Sequence, residues 1–277
     1  MSRKDGKRFK GADMMYTIAP YIMDKRCDAC NSVTVHIPYD PMHEYIIKKR
    51  AEGHKMSHLA LVIAAYVRTV AKYPALNRFV VNRKIYSRNE LIVAMVVQRA
   101  VGAEGTMGKL SFDLNDTVFD VNDKINKYID DNRQEDSNKT DALMHKLTAL
   151  SFLLGPAVAI IKWADKHGLL PKAIINASPF HASMVISNLA SIRTNHIFHH
   201  IYDFGTVGQI ITIGNSENRP VFKDGEIKLQ KNMPLGVVCD ERIASGSYYA
   251  KCFHEMQRLL NNPELMEEPP AEVNTDF

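Results

Sequence analysis

Leu91-Ile-Val-Ala-Met-Val-Val97 is apolar at every position. A strand with that pattern is buried on both faces, so the sheet holding it needs a covering layer on each side. The rest of the chain supplies such layers. Ser32–Pro38 alternates in the strand manner. Asp40-Pro41 opens a helix, with proline in its first turn. Ser57 caps a stronger helix over 58–73, whose Leu59, Leu61, Val62, Ala65, Tyr66 and Val70 follow helical spacing. Tyr73-Pro74 stops it.

Two extended pieces follow near 78–81 and 84–87, and 109–114 reads as another strand. Gly102, Gly105 and Gly108 punctuate a loop, but no Gly-Lys-Ser/Thr follows, so it is not a phosphate loop. Residues 120–134 form an amphipathic helix with Val121, Ile125, Tyr128 and Ile129 on one face. A second helical region over 141–167 is broken near Pro156. Strands are predicted at 184–189, 209–214, 220–223 and 229–240, with Asp224-Gly225 as a turn between the last two. The last helix is 247–260. Strands and helices mix without strict alternation, which predicts an α/β or α+β class. Residues 1–13, with five cations, read as a flexible basic arm; residues 267–277, with two prolines and four acids, read as a disordered acidic tail.

A chain of 277 residues can bury a large core without staples. Its net charge of 35 − 31 = +4 does not call for a nucleic-acid partner. Four cysteines make no disulfide framework. Cys27-Asp-Ala-Cys30 is a single pair without a second one to complete a zinc site, and it precedes a strand rather than following one, so it reads as plain thiols. The most apolar stretch, 147–161, has fifteen uncharged residues, short of the ~20 of a spanning helix, and contains Gly155-Pro156. No membrane association is expected, and no secretory signal opens the chain, so the expected location is cytoplasmic. No nucleotide fingerprint is present, hence no nicotinamide or flavin. The lone Trp163 reads as core or interface.

Three motifs carry a resemblance, in order along the chain. Tyr73-Pro-Ala-Leu-Asn77 is similar to a "Phe-Pro-x-Leu-Asn" helix end; Val185-Ile-Ser-Asn-Leu189 to a "Thr-Ile-Ser-Asn-Leu" strand. Met233-Pro-Leu-Gly-Val-Val-Cys-Asp-Glu-Arg-Ile-Ala-Ser-Gly246, followed by a helix and Asn262-Pro-Glu264, resembles a "Pro-Leu, strand, Asp-His-Arg-Val-x-Asp-Gly, helix, Asn-Pro-Glu" block. These belong to the acyltransferase catalytic domain of 2-oxo acid dehydrogenase complexes, the dihydrolipoyl acyltransferases, with chloramphenicol acetyltransferase as a cousin. The resemblance covers about 14–266.

It implies an α/β fold, a two-layer sandwich of mixed sheet and helices that forms a homotrimer. The active site lies between subunits, in a channel entered by coenzyme A from one end and acyl-lipoamide from the other. A His in the motif deprotonates the attacking thiol, which is mostly protonated at neutral pH with its pKa near ~8.5. A hydroxyl on the Ser-Asn-Leu strand donates to the oxyanion. The implied site residues are Ser187, Glu241, Ser245 and Gly246. Glu241 stands where the family has its His, and Ser245 where it has the motif Asp. A carboxylate with a pKa near ~4.3 is a poor base for a thiol and repels the anions that form. His199 or His200 is the candidate substitute base; His196, His199 and His200 with Asp203 make an incomplete metal set, and no metal is expected.

Short stand-alone relatives resembling this chain also carry Asp-Glu-Arg at this position. No lipoyl or peripheral-subunit-binding domain precedes residue 14, so the expected partners are two further copies of this chain and a lipoyl carrier acting in trans. The expected ligand is coenzyme A or acyl-coenzyme A, with no lipoyl group on this chain. Two functions follow: a coenzyme-A-linked acyltransferase of weak or lost conventional activity, or a non-catalytic scaffold, acyl-ligand-binding or partner-binding homologue.

Overall fold

In the computed structural model, residues 3–97, 106–134 and 154–276 are described. From the N-terminus they form β1 (Gly6–Arg8), α1 (Met14–Ile22), β2 (Cys30–Pro38), α2 (Tyr39–Ala51), α3 (His58–Lys72), β3 (Arg78–Val81), β4 (Lys84–Arg88), β5 (Leu91–Val97), β6 (Thr106–Phe112), α4 (Val118–Gln134), α5 (Leu154–Lys166), α6 (Lys172–Ala177), β7 (Met184–Asn188), β8 (Gln209–Ile213), β9 (Glu217–Lys223), β10 (Glu226–Asp240) and α7 (Gly246–Asn261). Gly102, Gly105 and the expected helix over 141–153 lie outside the described residues. Gly108 lies within β6.

The main sheet runs β2-β10-β8-β7-β5-β6, with β9 on the free part of β10; β1-β4-β3 form a smaller sheet. The β5–β7 and β7–β8 pairs are parallel and the others antiparallel. The unbroken apolar run 91–97 is β5, held between β6 and β7. Its odd residues Val93 and Met95 enter the main core, while Ala94 enters a second cluster on the opposite face.

Each row across the sheet keeps one face. Ala94, Val185, Ile210 and Val238 are in register and form the second cluster with Ile201 and Val207 from the segment that folds over them. One step along, Ser187, Thr212, Gly236 and Thr34 form the next row on that same face. The opposite face carries the larger core, where α3 is buried along almost its whole length. Ser57 caps α3 as expected, its Oγ accepting from the Ala60 N–H at 3.2 Å.

Both chain ends depart from the sequence expectation. The N-terminal arm is not free: β1 pairs with β4, and Arg3 is buried, bonded to Asp5 at 2.8 Å and to the Asp165 carboxylate at 2.7 Å. A buried carboxylate such as Asp165 requires a charged partner, and a guanidinium five donors wide supplies it. The acidic tail also docks. The Asn274 N–H donates to the Ala71 carbonyl at 2.8 Å, its side chain to that of Lys72 at 3.0 Å, and Asp276 pairs with Arg78. These carbonyls end α3 and lack intrahelical donors, so the tail satisfies acceptors the helix leaves open. Among the described residues, no helix is long and apolar enough to cross a membrane.

Candidate active site

Ser187 is the fourth residue of β7 and half-buried; its hydroxyl makes no hydrogen bond among the described residues. Alternation places it on the face of Val185 and Thr212. Beside it, residues 194–198 cross the sheet at close range. Thr212 Oγ1 donates to the Ile197 carbonyl at 2.6 Å, and His196 Nε2 lies 3.0 Å from Thr34 Oγ1. Gly236 makes this possible: a Cβ there would stand 2.6 Å from the Ile197 carbonyl oxygen.

Glu241 follows the last residue of β10. Its N–H donates to the Ala29 carbonyl at 2.9 Å, and the Asn31 side-chain amide donates to its Oε2. It is half-buried at the rim. Asp240, fully buried beside it, accepts two bonds from Arg242, at 2.8 and 2.7 Å, and one from Arg26 at 3.3 Å. Burial works against the Arg242 charge, yet the Asp240 bonds outweigh it and its pKa rises. Burial lowers that of Arg26. Ser245 is the N-cap of α7, its Oγ accepting from the Tyr248 N–H at 3.1 Å. Gly246 opens that helix; a Cβ there would meet nothing within 4 Å, so no contact in one chain explains the glycine.

The register fixes how these residues relate. Ser187 is level with Gly236, and Glu241 lies five positions beyond Gly236 and two strands away. At ~3.4 Å per residue and ~4.8 Å per strand, the two stand roughly 20 Å apart within one chain. Within one chain, Glu241, Ser245 and Gly246 therefore lie at one place and Ser187 at another. His199 and His200 stack on each other at 4.8 Å between ring centroids, against Tyr202; none of their described hydrogen bonds reaches Glu241 or Ser187. All four cysteines are free, and burial together with Asp203 pushes the Cys27 thiol up, away from the reactive thiolate. Among the described residues, no three His, Cys, Asp or Glu gather to hold a metal. Trp163 is exposed, so it is not a core residue of the single chain.

Sequence reasoning missed Asn31 and Arg26, which hold Glu241 and Asp240. Both contacts span more than 200 positions, and neither residue sits in a motif. The signal was weak: only the place of Asn31 at the start of β2, opposite the end of β10, pointed to it.

Residues 180–267 match the family model described as 2-oxoacid dehydrogenases acyltransferase (catalytic domain). The match contains Ser187, Glu241, Ser245 and Gly246. No curated protein sequence matches the chain. The fold is shared with solved acyltransferases. A probable dihydrolipoamide acetyltransferase from Listeria monocytogenes superposes at a TM-score of 0.60 with 14% identity, over 97% of this chain and 99% of that one. The cubic core of the pyruvate dehydrogenase multienzyme complex gives 0.60 and 13%, over 90% and 87%. A chloramphenicol acetyltransferase gives 0.57 and 10%, over 92% and 99%. The expected mixed α/β fold is thus found, and the family match takes in the motifs at 185–189 and 233–264.

Proposed function

We propose that the protein is a coenzyme-A-linked acyltransferase homologue that works as a homotrimer, with conventional dihydrolipoyl transfer weak or lost. The observation that carries this reading is the separation of Ser187 from Glu241. Both lie in the segment matching an acyltransferase catalytic domain, yet they stand roughly 20 Å apart in one chain. Two such residues can share a channel only if neighbouring subunits each supply one. The unbonded Ser187 hydroxyl is then the oxyanion donor and Glu241 the residue opposite.

Exposed apolar groups favour the association. Phe222 and Ile227 face each other across the β9–β10 hairpin, with Leu229 on the same side, and all three are exposed. On residues 197–211, Ile197, Phe198 and Tyr202 are exposed, whereas Ile201, Val207, Ile210 and Ile211 are buried within one chain and have no area left for a contact.

Glu241 is held in place by the Asn31 side-chain amide, which donates to its Oε2. A lipoyl carrier in trans, or coenzyme A as the only thiol, supplies the second substrate. A cytoplasmic location fits the free thiols. A second reading, a non-catalytic binding homologue, is favoured by Ser245, whose hydroxyl is spent on a helix cap. The test is acetyl-coenzyme A binding and turnover with dihydrolipoamide, wild type against Ser187→Ala. Binding with Ser187-dependent turnover supports the acyltransferase. Binding without turnover supports the second reading, and neither overturns both.

A further inference from the structure

A cavity of about 260 Å³ lies beside Arg242, outside the residues assigned above. Its floor is Arg26 and Arg242, both buried; its walls are Val80, Val81 and Phe204; its rim is Lys25, Lys162, Lys166 and Arg83, all exposed. The charges do not balance. Arg26 and Arg242 share a single carboxylate, Asp240. Asp24 pairs with Arg83 at 2.9 Å and Asp165 with Arg3 at 2.7 Å, whereas Asp203 accepts the Arg26 backbone N–H at 2.7 Å and keeps its charge. The lining thus carries six cationic side chains against three carboxylates. Lys25, Lys162 and Lys166 pair with no carboxylate among the described residues.

We propose that this cavity binds the phosphate groups of an organic phosphate. Three lysines line it from two elements, Lys25 from the loop after α1 and Lys162 and Lys166 from one face of α5, four positions apart. Compact, multiply charged oxyanions suit such point donors. The volume is below the ~300 Å³ of the smallest drug-sized pockets, so it takes a phosphate or diphosphate and leaves the remainder of the ligand outside, along Phe204. Most N–H groups of the two guanidiniums beneath are bonded to Asp240, Val80, Gly205, Tyr202 and Met23, so the pair contributes chiefly its positive field. The site stands on charge and shape, and does not depend on acyl transfer.

Such phosphates come from two sources, a free phosphorylated metabolite or coenzyme A itself. The test is thermal shift and calorimetry on the full chain with inorganic pyrophosphate, ADP and coenzyme A in turn, at matched ionic strength. The comparison is between wild type, Lys162→Glu/Lys166→Glu, and the surface control Lys251→Glu. The substituted lysines are exposed, and unchanged melting without ligand verifies that the variants fold. The expected result is pyrophosphate binding at millimolar concentration or below, weakened about tenfold in the double variant and unchanged in the control. Coenzyme A weakened in parallel identifies its phosphates as the occupant. Coenzyme A unaffected, with pyrophosphate weakened, assigns the cavity to a free phosphorylated metabolite. Pyrophosphate without effect on the wild type, or bound equally by the double variant, overturns the proposal.

Discussion

The side-chain amide of Asn31 donates to the carboxylate of Glu241, joining the start of β2 to the residue that follows β10. On the proposed reading, the contact holds a carboxylate where the resemblance implies a His. It has a direct consequence for turnover. Without a base of suitable pKa, thiol-dependent transfer should fall by about 10²–10⁴. Dihydrolipoamide acetyltransferase assays should therefore give rates in that range below an active relative. Glu241→Gln should change little, and Glu241→His with Ser245→Asp should raise the rate. A wild-type rate at the level of the active relative, lost in Glu241→Gln, contradicts the reading.

Gly236 gives a prediction of stability. Its missing side chain lets the Ile197 carbonyl and Thr212 Oγ1 approach to 2.6 and 2.7 Å of where a Cβ would stand. The first is backbone and cannot rotate aside. Gly236→Ala should cost about 1–3 kcal/mol by overpacking. Denaturant unfolding reads this as a lower midpoint at unchanged slope. The variant should also release the 194–198 segment, seen as faster amide exchange at Ile197, whose N–H bonds to Thr212 Oγ1.

How far the sequence foretold this arrangement differs between the fold and the site. The strand at 91–97 was legible because an unbroken apolar run has few other ways to be buried. The helix at 58–73 was legible from its spacing and its Ser57 cap, which the structure keeps. The two termini were misread for one reason. Charge and proline content predict solvation only while the charged groups lack buried partners, and Arg3 and Asp276 find theirs in Asp165 and Arg78, far along the chain. The helix α1 was not anticipated, since its apolar residues Met14, Met15, Ile18, Tyr21 and Ile22 face outward rather than into a core. At the site, position in a motif identified Ser187 and Glu241, but Asn31, contributed by a strand 210 positions away, follows no local pattern.

His58 should set part of the acid sensitivity. It begins α3, stacks on Tyr39 at 5.0 Å, and lies near His43, Arg50 and Lys231. Burial first, then these cations, lower its pKa to about 4, and the helix N-terminus disfavours the imidazolium further. The unfolded chain then binds more protons than the folded one between about 6.5 and about 4, so stability falls as pH falls through that window. The loss from His58 is about 2–3 kcal/mol. Urea unfolding at a series of pH values should show His58→Phe with a shallower acid limb than wild type. Parallel limbs contradict the assignment.

The tail should be a structural element. Removing 273–277 deletes the Asn274 bonds to the end of α3 and leaves Arg78, largely buried, without its carboxylate. The expected cost is about 2–4 kcal/mol, of which Asp276→Asn accounts for most, because an unpaired charge is left behind. Thermal unfolding should show both variants melting below the wild type, and salt should narrow the gap only slightly, since the pair is shielded from solvent.

The assembly prediction follows from the site and the exposed surface together. If Ser187 and Glu241 act in one channel, the contact must be head-to-tail between identical chains, and the smallest ring in the expected fold closes at three. The outward apolar face of α1 and the hairpin residues Phe222, Ile227 and Leu229 provide area for such a contact. The tail bears on what happens beyond the ring. Residues 274–276 fold back onto α3 and Arg78 of their own chain, so these residues are engaged and not available to join one trimer to another. Size exclusion with light scattering should give three times 31.3 kDa at micromolar concentration. A monomer or dimer mass contradicts the shared channel. A mass of many trimers contradicts only the role assigned to the tail, and the 273–277 deletion then tells whether the tail or another surface joins them.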